Sequence, residues 1–127
     1  MFFLTTSSAR QNSAVTLQKN NNRVIKISDT AAEDLKSIWD YSARHNEIAA
    51  GKLVTEIKNK FILLRDNPLI GREQYKYLVG LRSFVVQKYF IFYLPLDNGI
   101  DVLRVLHSSR DIEKIFKQFF DSLPDSM

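Results

Sequence analysis

Three residues of the chain carry side chains that could bind a phosphate group and act on it. Arg82 lies in one predicted strand, and His107 and Arg110 lie at the end of another. Guanidinium groups suit a phosphate, and an imidazole can accept a proton near neutral pH. The set would suit a nuclease, yet it offers no evident acid–base pair. His107 could equally be a structural histidine that hydrogen-bonds within the fold.

The other charged groups favour solvated surfaces over sites. Glu33, Asp34 and Asp40 share one predicted helix, but Asp34 points about 100° away from Glu33. A metal site on this helix is therefore not expected. The next predicted helix carries three lysines that also fit a surface: Lys52, Lys58 and Lys60.

The composition indicates one globular domain. Of the 127 residues 45% are hydrophobic and 25% are charged, which is typical of a folded protein. The net charge of +4 suits a nucleic acid or an acidic protein partner without specifying either. The chain has no cysteine, and His45 and His107 lack zinc-ligand spacing. We therefore expect neither a metal nor another cofactor.

The amino terminus predicts a tail rather than a targeting signal. The apolar run Met1–Leu4 is too short and lacks the basic region of a signal peptide, and no run approaches the ~20 residues of a membrane helix. We expect a cytoplasmic protein without membrane contact. The following residues are polar, so 1–22 are predicted to be a flexible tail and 23–127 a single domain. The alternative is a start codon placed upstream of the true one.

The first half of the domain is predicted to contain one strand and two helices. The apolar run Val24–Ile27 predicts a buried strand. Thr30 and Glu33 have capping-box spacing, so a helix is expected to begin there and to reach about Arg44. Trp39 lies at helical spacing in this helix and is expected in the core.

A second helix follows after a short loop, which predicts an antiparallel hairpin. Asn46 suits its amino-terminal cap, and Asn67-Pro68 ends it because the residue before proline avoids helical backbone angles. Gly71 permits the turn that follows.

The second half predicts three strands and a short helix. The strands LRSFVVQ, YFIFYLP and IDVLRVLH begin at Leu81, Tyr89 and Ile100, and the turn signal Asp97–Gly99 separates the last two. These elements predict an α+β fold, in which a four-stranded, largely antiparallel sheet packs on the helical hairpin.

Both alternating faces of YFIFYL are apolar, so each face of the sheet needs a cover. The hairpin covers one face. The other cover is either a carboxy-terminal helix from about Asp111 to Phe120 or a partner protein. Phe120 and Leu123 extend the apolar content further, which predicts an exposed patch for a partner.

Five strings occur in the chain in an order typical of one superfamily: Ala32–Tyr41, Asn67–Arg72, Gly80–Arg82, Tyr89–Tyr93 and Arg104–Asp111. Together with the order of elements they resemble the ParE/RelE toxins of type II toxin–antitoxin systems, in the ParE-like branch. The resemblance covers about Val24 to Phe116, with Ser108 in place of the usual glycine.

The resemblance allows two modes of action, because RelE-like members cut messenger RNA on the ribosome whereas ParE-like members act on DNA gyrase. Where RelE-like sequences have a site arginine and a catalytic tyrosine, this chain has Phe90 and Phe116. Two basic positions fall on Ser109 and Ile112. A phenyl ring cannot transfer a proton, so the resemblance implies a gyrase inhibitor that performs no chemistry.

Two alternatives stay open. One is a RelE-like, ribosome-dependent mRNA endonuclease that uses Arg82, His107 and Arg110. The other is a decayed toxin that retains only antitoxin binding.

The resemblance also implies growth inhibition, a role in plasmid stabilisation and a hetero-oligomer with a cognate antitoxin. Candidates for target or phosphate contact are Arg72, Arg82, Lys88 and Arg110. Candidates for antitoxin binding are Phe90, Phe92, Phe116, Phe119 and Phe120. Arg72 could instead brace the bend after Gly71, and Arg110 could form a local ion pair with Asp111.

Overall fold

The computed structural model describes residues 22–122, apart from the Phe120 side chain. The elements are β1 (Val24–Ile27), α1 (Asp29–Ala43), α2 (Glu47–Asp66), β2 (Arg72–Glu73), β3 (Arg82–Val86), β4 (Tyr89–Leu96), β5 (Gly99–His107) and α3 (Ile112–Ser122). Nearly all of the predicted tail, and Leu123 of the predicted patch, lie outside the described residues. Within that range no helix has the length and apolar content needed to cross a bilayer.

The sheet has five strands in the order β1-β5-β4-β3-β2. β1 pairs with β5 in parallel, and the other pairs are antiparallel. The α+β class is confirmed, but the four-strand count is wrong because Arg72 and Glu73 pair with Ser83 and Arg82. These two exposed charged residues show no apolar alternation, so their sequence is indistinguishable from a loop.

Helix α1 begins earlier than the capping-box pattern predicts. Its cap is Ser28, whose hydroxyl accepts a hydrogen bond from the Ala31 N–H at 2.9 Å. The same hydroxyl donates to the Leu103 carbonyl at 2.9 Å, and the Ser28 N–H donates to the Val102 carbonyl. These bonds to β5 fix the chain at Ser28, so the helix starts where β1 ends rather than at Thr30.

Helix α2 has the predicted boundaries. The Asn46 side chain accepts from the Ala49 N–H at 3.0 Å, and the helix ends just before Asn67-Pro68. The two helices pack against each other. The core position expected for Trp39 is wrong, because this side chain is 38% exposed at the edge of α1 beside Gly51.

Strand β4 contributes to two hydrophobic clusters on opposite faces of the sheet. Ile91 and Tyr93 are buried against α1 and α2. Phe92 is buried on the other face, where Phe116 of α3 covers it. The Tyr77 ring completes this cover by stacking on Phe116, with ring centroids 5.5 Å apart. The second cover that the sequence required is therefore supplied by the chain itself.

An ion pair joins α1 to β5. It lies past the end of β1, where this side of β5 has no neighbouring strand within residues 22–122. The Asp34 carboxylate accepts two hydrogen bonds from the Arg104 guanidinium, at 2.8 and 2.9 Å, and a third from the Val105 N–H at 2.9 Å. The side chains of Asp34 and Arg104 are only 12% and 19% exposed. Glu33 and Asp40 are exposed, so the three carboxylates of α1 do not converge on one site.

The turn between β4 and β5 is the predicted one, with Leu96 and Gly99 paired on either side of Asp97-Asn98. A side chain at Gly99 would overlap the Val24 carbonyl oxygen. The Val24 N–H donates to the Asn98 carbonyl at 2.7 Å. Glycine is thus needed here because β1 approaches β5 so closely.

The Asp34–Arg104 contact yields a stability prediction. Asp34→Asn removes the negative charge that pairs with a mostly buried guanidinium, and we expect it to lower the free energy of unfolding by about 2–4 kcal/mol. Urea unfolding followed by circular dichroism measures the change. Asp40→Asn, at an exposed position of the same helix, is the matched control and should change stability by less than about 0.5 kcal/mol. Equal effects of the two substitutions would contradict a stabilising role for the Asp34–Arg104 ion pair.

Asp101 of β5 gives a prediction for pH dependence. Burial raises the pKa of Asp101 above its ordinary value of 3.8, and the positive charge of Lys26 partly opposes this rise. The folded protein then binds the proton more tightly than the unfolded chain. The stability from this group is therefore present below the ordinary pKa and lost as the pH rises through the folded value. Asp101→Asn should raise Tm at about pH 7 and leave it nearly unchanged at about pH 3. A lower Tm at neutral pH would mean that the attraction of Lys26 outweighs burial.

Candidate functional site

The bend between α2 and β2 is held by the buried hydroxyl of Tyr93. This hydroxyl accepts a hydrogen bond from the Gly71 N–H at 2.9 Å and donates to the Pro68 carbonyl at 2.7 Å. Burial raises the pKa of Tyr93, so the phenol keeps the proton that it donates. A side chain at Gly71 would overlap the Tyr93 ring and hydroxyl. Position 71 therefore needs glycine, because the Tyr93 ring and hydroxyl occupy the space that a side chain would fill.

Arg82 of β3 holds the same bend. Its Nη1 donates to the carbonyls of Leu69 and Gly71 at 3.0 and 2.8 Å, and its Nη2 lies 3.5 Å from the Glu73 carboxylate. Arg82 thus has the bracing role that the sequence suggested for Arg72, whose own side chain is exposed. This role could not be predicted from the sequence, because the acceptors are backbone carbonyls that only folding brings close to Arg82.

The residues predicted to bind one phosphate are separated in the sheet. Arg82 pairs with Tyr93 across β3 and β4, whereas His107 pairs with Tyr89 across β4 and β5. The two tyrosines are four residues apart on one strand, a backbone separation of about 13 Å at ~3.3 Å per residue. The structure therefore does not bring Arg82 and His107 to a common phosphate.

One nitrogen of His107 is already engaged. Its Nδ1 accepts a hydrogen bond from the Ser109 N–H at 3.0 Å and lies 2.8 Å from the Ser109 hydroxyl. The neutral ring therefore carries its proton on Nε2. The Tyr89 ring meets the imidazole edge to face, with centroids 5.1 Å apart. To act as a base, His107 would have to break its contact with Ser109.

Lys88 and Arg110 lie near His107 at this end of the sheet. The Ser108 N–H donates to the Lys88 carbonyl at 2.7 Å, and the Arg110 N–H donates to the His107 carbonyl at 3.0 Å. The side chains of Lys88 and Arg110 are exposed. The expected Arg110–Asp111 ion pair is not formed within residues 22–122. Asp111 instead caps α3, accepting from the Lys114 N–H at 3.1 Å.

The phenylalanines predicted to bind an antitoxin differ in exposure. Phe92 and Phe116 are 1% and 2% exposed, so in this arrangement their side chains are not open to a partner, and their role in antitoxin binding stays a prediction. They are buried because α3 and Tyr77 close over them. Phe90 and Phe119 are partly exposed, and Phe120 lies outside the described side chains.

Four exposed apolar side chains lie in and after the bend. Leu69, Ile70, Tyr75 and Val79 are 67%, 50%, 48% and 86% exposed. A groove of about 500 Å³ is lined by residues 72–77, which include Tyr75. These four residues follow neither helical nor strand periodicity, so their spacing in the sequence did not predict that they would be exposed.

Comparison with known proteins assigns the chain to a family. The family model described as the ParE toxin of the type II toxin–antitoxin system parDE matches residues 25–112. The chain belongs to this family. It is thus a type II toxin of a toxin–antitoxin system, as the motif order indicated. A search of curated protein sequences gives no match.

Solved structures of two toxin–antitoxin systems resemble the chain. A protein of the chromosomal ParDE system of P. aeruginosa is 22% identical, with a TM-score of 0.58, over 68% of this chain and 96% of that one. A protein of the E. coli DinJ–YafQ complex is 21% identical, with a TM-score of 0.46, over 68% of this chain and 94% of that one. The likeness to the P. aeruginosa structure, at 22% identity, concerns the fold alone.

The Tyr93 contact can be tested by removing one oxygen atom. Tyr93→Phe leaves the Gly71 N–H and the Pro68 carbonyl without their buried partner, and we expect a loss of about 1–3 kcal/mol in the free energy of unfolding. Tyr89→Phe is the matched control, because the Tyr89 hydroxyl has no hydrogen-bond partner among the described residues. Chemical denaturation of both variants measures the difference. A Tyr93→Phe protein as stable as the control would show that the bend does not need this hydroxyl.

Proposed function

We propose that this ParE-family toxin stops growth by binding DNA gyrase and trapping its cleaved-DNA complex, without catalysing a reaction itself. The observation that carries the proposal is the separation of Arg82 from His107 and Arg110, since Arg82 is engaged by the bend. Of the three residues in the nuclease alternative, only His107 is of a type that commonly serves as a general acid or base.

RNA cleavage makes demands that this chain meets poorly. It needs a base for the attacking 2′-hydroxyl, an acid for the leaving oxygen and cations for the charged transition state. Phe90 and Phe116 supply neither proton transfer nor charge, and Nδ1 of His107 is held by Ser109. What argues for the nuclease alternative is the proximity of Lys88 and Arg110 to His107, so the test includes it.

A cognate antitoxin is the second partner in the proposal. Val85 of β3 is 57% exposed and lies directly across from the partly exposed Phe90. β2 pairs only with Arg82 and Ser83, so the rest of the β3 edge is uncovered by strands. An extended antitoxin segment could pair along this edge and pack apolar side chains on Val85 and Phe90. The basic excess of the toxin suits an acidic segment.

The proposal is tested with purified toxin freed of antitoxin. It is added to a gyrase supercoiling reaction and, in parallel, to a translation reaction that contains ribosomes and mRNA. We expect cleaved DNA to accumulate while the message stays intact. His107→Gln should behave like the wild type in both reactions, because the proposal gives this residue no chemistry.

Cut message with normal supercoiling would contradict gyrase inhibition, and loss of that cutting in His107→Gln would establish the nuclease alternative. Silence in both reactions, with antitoxin binding intact, would identify a decayed toxin that only binds its partner.

A further inference from the structure

At one end of the sheet, aromatic rings from α1, β4 and β5 lie beside one another. The Tyr89 ring contacts His107 edge to face, and the Tyr41 ring contacts His45 in the same way, with centroids 5.6 Å apart. Burial raises the pKa of Tyr89, and the nearby Tyr41 phenol raises it further, so the two phenols are neighbours. Tyr41 is 60% exposed, which leaves its ring open to a ligand.

Two cations lie at the same end of the sheet. Lys88 belongs to the two-residue turn between β3 and β4, directly before Tyr89. The Lys88 carbonyl accepts from the Ser108 N–H at 2.7 Å, and the His107 carbonyl accepts from the Arg110 N–H at 3.0 Å. These bonds join the two turns that carry Lys88 and Arg110. Both side chains are exposed, and neither forms an ion pair in the part of the chain that the structure describes.

The backbone beneath Lys88 is held in place. Gln87, the other residue of the turn, has a φ of +54°, which residues other than glycine rarely adopt. Its side chain donates to the Glu56 carboxylate of α2 at 2.7 Å. The turn is therefore fixed to the helical hairpin as well as to the end of β5. A surface held in place before binding loses little conformational freedom when a ligand arrives.

The neighbouring carboxylates are engaged or point elsewhere. Glu56 is hydrogen-bonded to the β3–β4 turn, and Asp111 caps α3. Asp40 precedes Tyr41 on α1 and so points about 100° away from it around the helix. Glu47, in the first turn of α2, lines a groove formed by residues of α2 alone. The two cations are therefore open to an anionic ligand.

Rings beside cations suit a single-stranded nucleic acid. Its bases expose flat faces that stack on aromatic side chains, and its phosphates are bound by lysine and arginine. In a duplex the base faces are already stacked on one another, so the rings would have nothing to bind. An acidic protein segment would pair with the cations but would leave the exposed Tyr41 ring without a base.

We propose that this tyrosine–cation surface, made of Tyr41, Tyr89, Lys88 and Arg110, binds single-stranded DNA, with a base stacked on the exposed tyrosine and phosphates bound by the two cations. The choice of DNA over RNA rests on the proposed function, since a toxin that traps cleaved DNA on gyrase meets broken strands. The contact requires nothing of His107, in keeping with the behaviour expected of His107→Gln.

The test measures the binding of antitoxin-free, full-length toxin to a fluorescent single-stranded DNA oligonucleotide of mixed sequence, by anisotropy at several salt concentrations. The same sequence is also tested as RNA and as duplex DNA. The variants are Tyr41→Leu, Tyr41→Phe, Lys88→Gln and Arg110→Gln. The matched controls are Tyr75→Leu and Lys76→Gln, an exposed ring and an exposed cation in the loop before β3, at the opposite end of that strand from Lys88. Thermal unfolding confirms that each variant is folded.

We expect Tyr41→Leu to weaken binding about tenfold, the loss that one stacked base implies, and Tyr41→Phe to bind like the wild type because it keeps the ring. Lys88→Gln and Arg110→Gln should each reduce the slope of log affinity against log salt by about 0.7, since each removes one phosphate contact. Both controls should match the wild type.

Four results would overturn the proposal. They are no binding of single-stranded DNA by the wild type, tighter binding of the RNA or the duplex, equal losses in the control variants, and a salt slope that neither cation variant changes. Tighter binding of RNA would instead favour the nuclease alternative.

The binding measurement contains no gyrase, so it separates this inference from the proposed function. If the toxin makes gyrase accumulate cleaved DNA but does not bind the oligonucleotide, only the inference fails. If the toxin binds the oligonucleotide through these residues and leaves gyrase unaffected, gyrase inhibition fails and the DNA-binding surface stands.

Discussion

The hydroxyl of Tyr93 is the contact on which the outer half of the sheet depends. Tyr93 belongs to β4, the middle strand, and reaches through the helical face of the sheet to Pro68 and Gly71. The contact fixes where α2 gives way to β2. Beside it, Arg82 donates to the carbonyls of Leu69 and Gly71, so the same bend is also held from β3. A single buried polar atom thereby links the core to the surface.

Features encoded by neighbouring residues could be read from the sequence. The Asn46 cap, the end of α2 at Asn67-Pro68 and the turn before Gly99 each depend on a few adjacent residues, and the structure has them as predicted. The apolar residues on both faces of β4 predicted that each face of the sheet is covered, and the structure confirms this.

Features that depend on distant partners could not be read in the same way. Ser28 caps α1 while it bonds to Leu103, 75 residues away in sequence, so the local capping pattern at Thr30 was misleading. Arg82 looked like a free cation, but its acceptors are backbone carbonyls with no side-chain signature. The candidate site was therefore less predictable than the fold, because the type of a charged residue does not specify which partner it meets.

The pairing of β1 with β5 joins the beginning of the domain to a strand completed only at His107. Contacts between residues so far apart in sequence form late, because a long loop must close first. While the ribosome is still making β5, the helical hairpin has no complete sheet to cover its apolar face. A nascent chain that has not yet reached Gly99 therefore has no partner for β1 and no complete sheet against its helical hairpin.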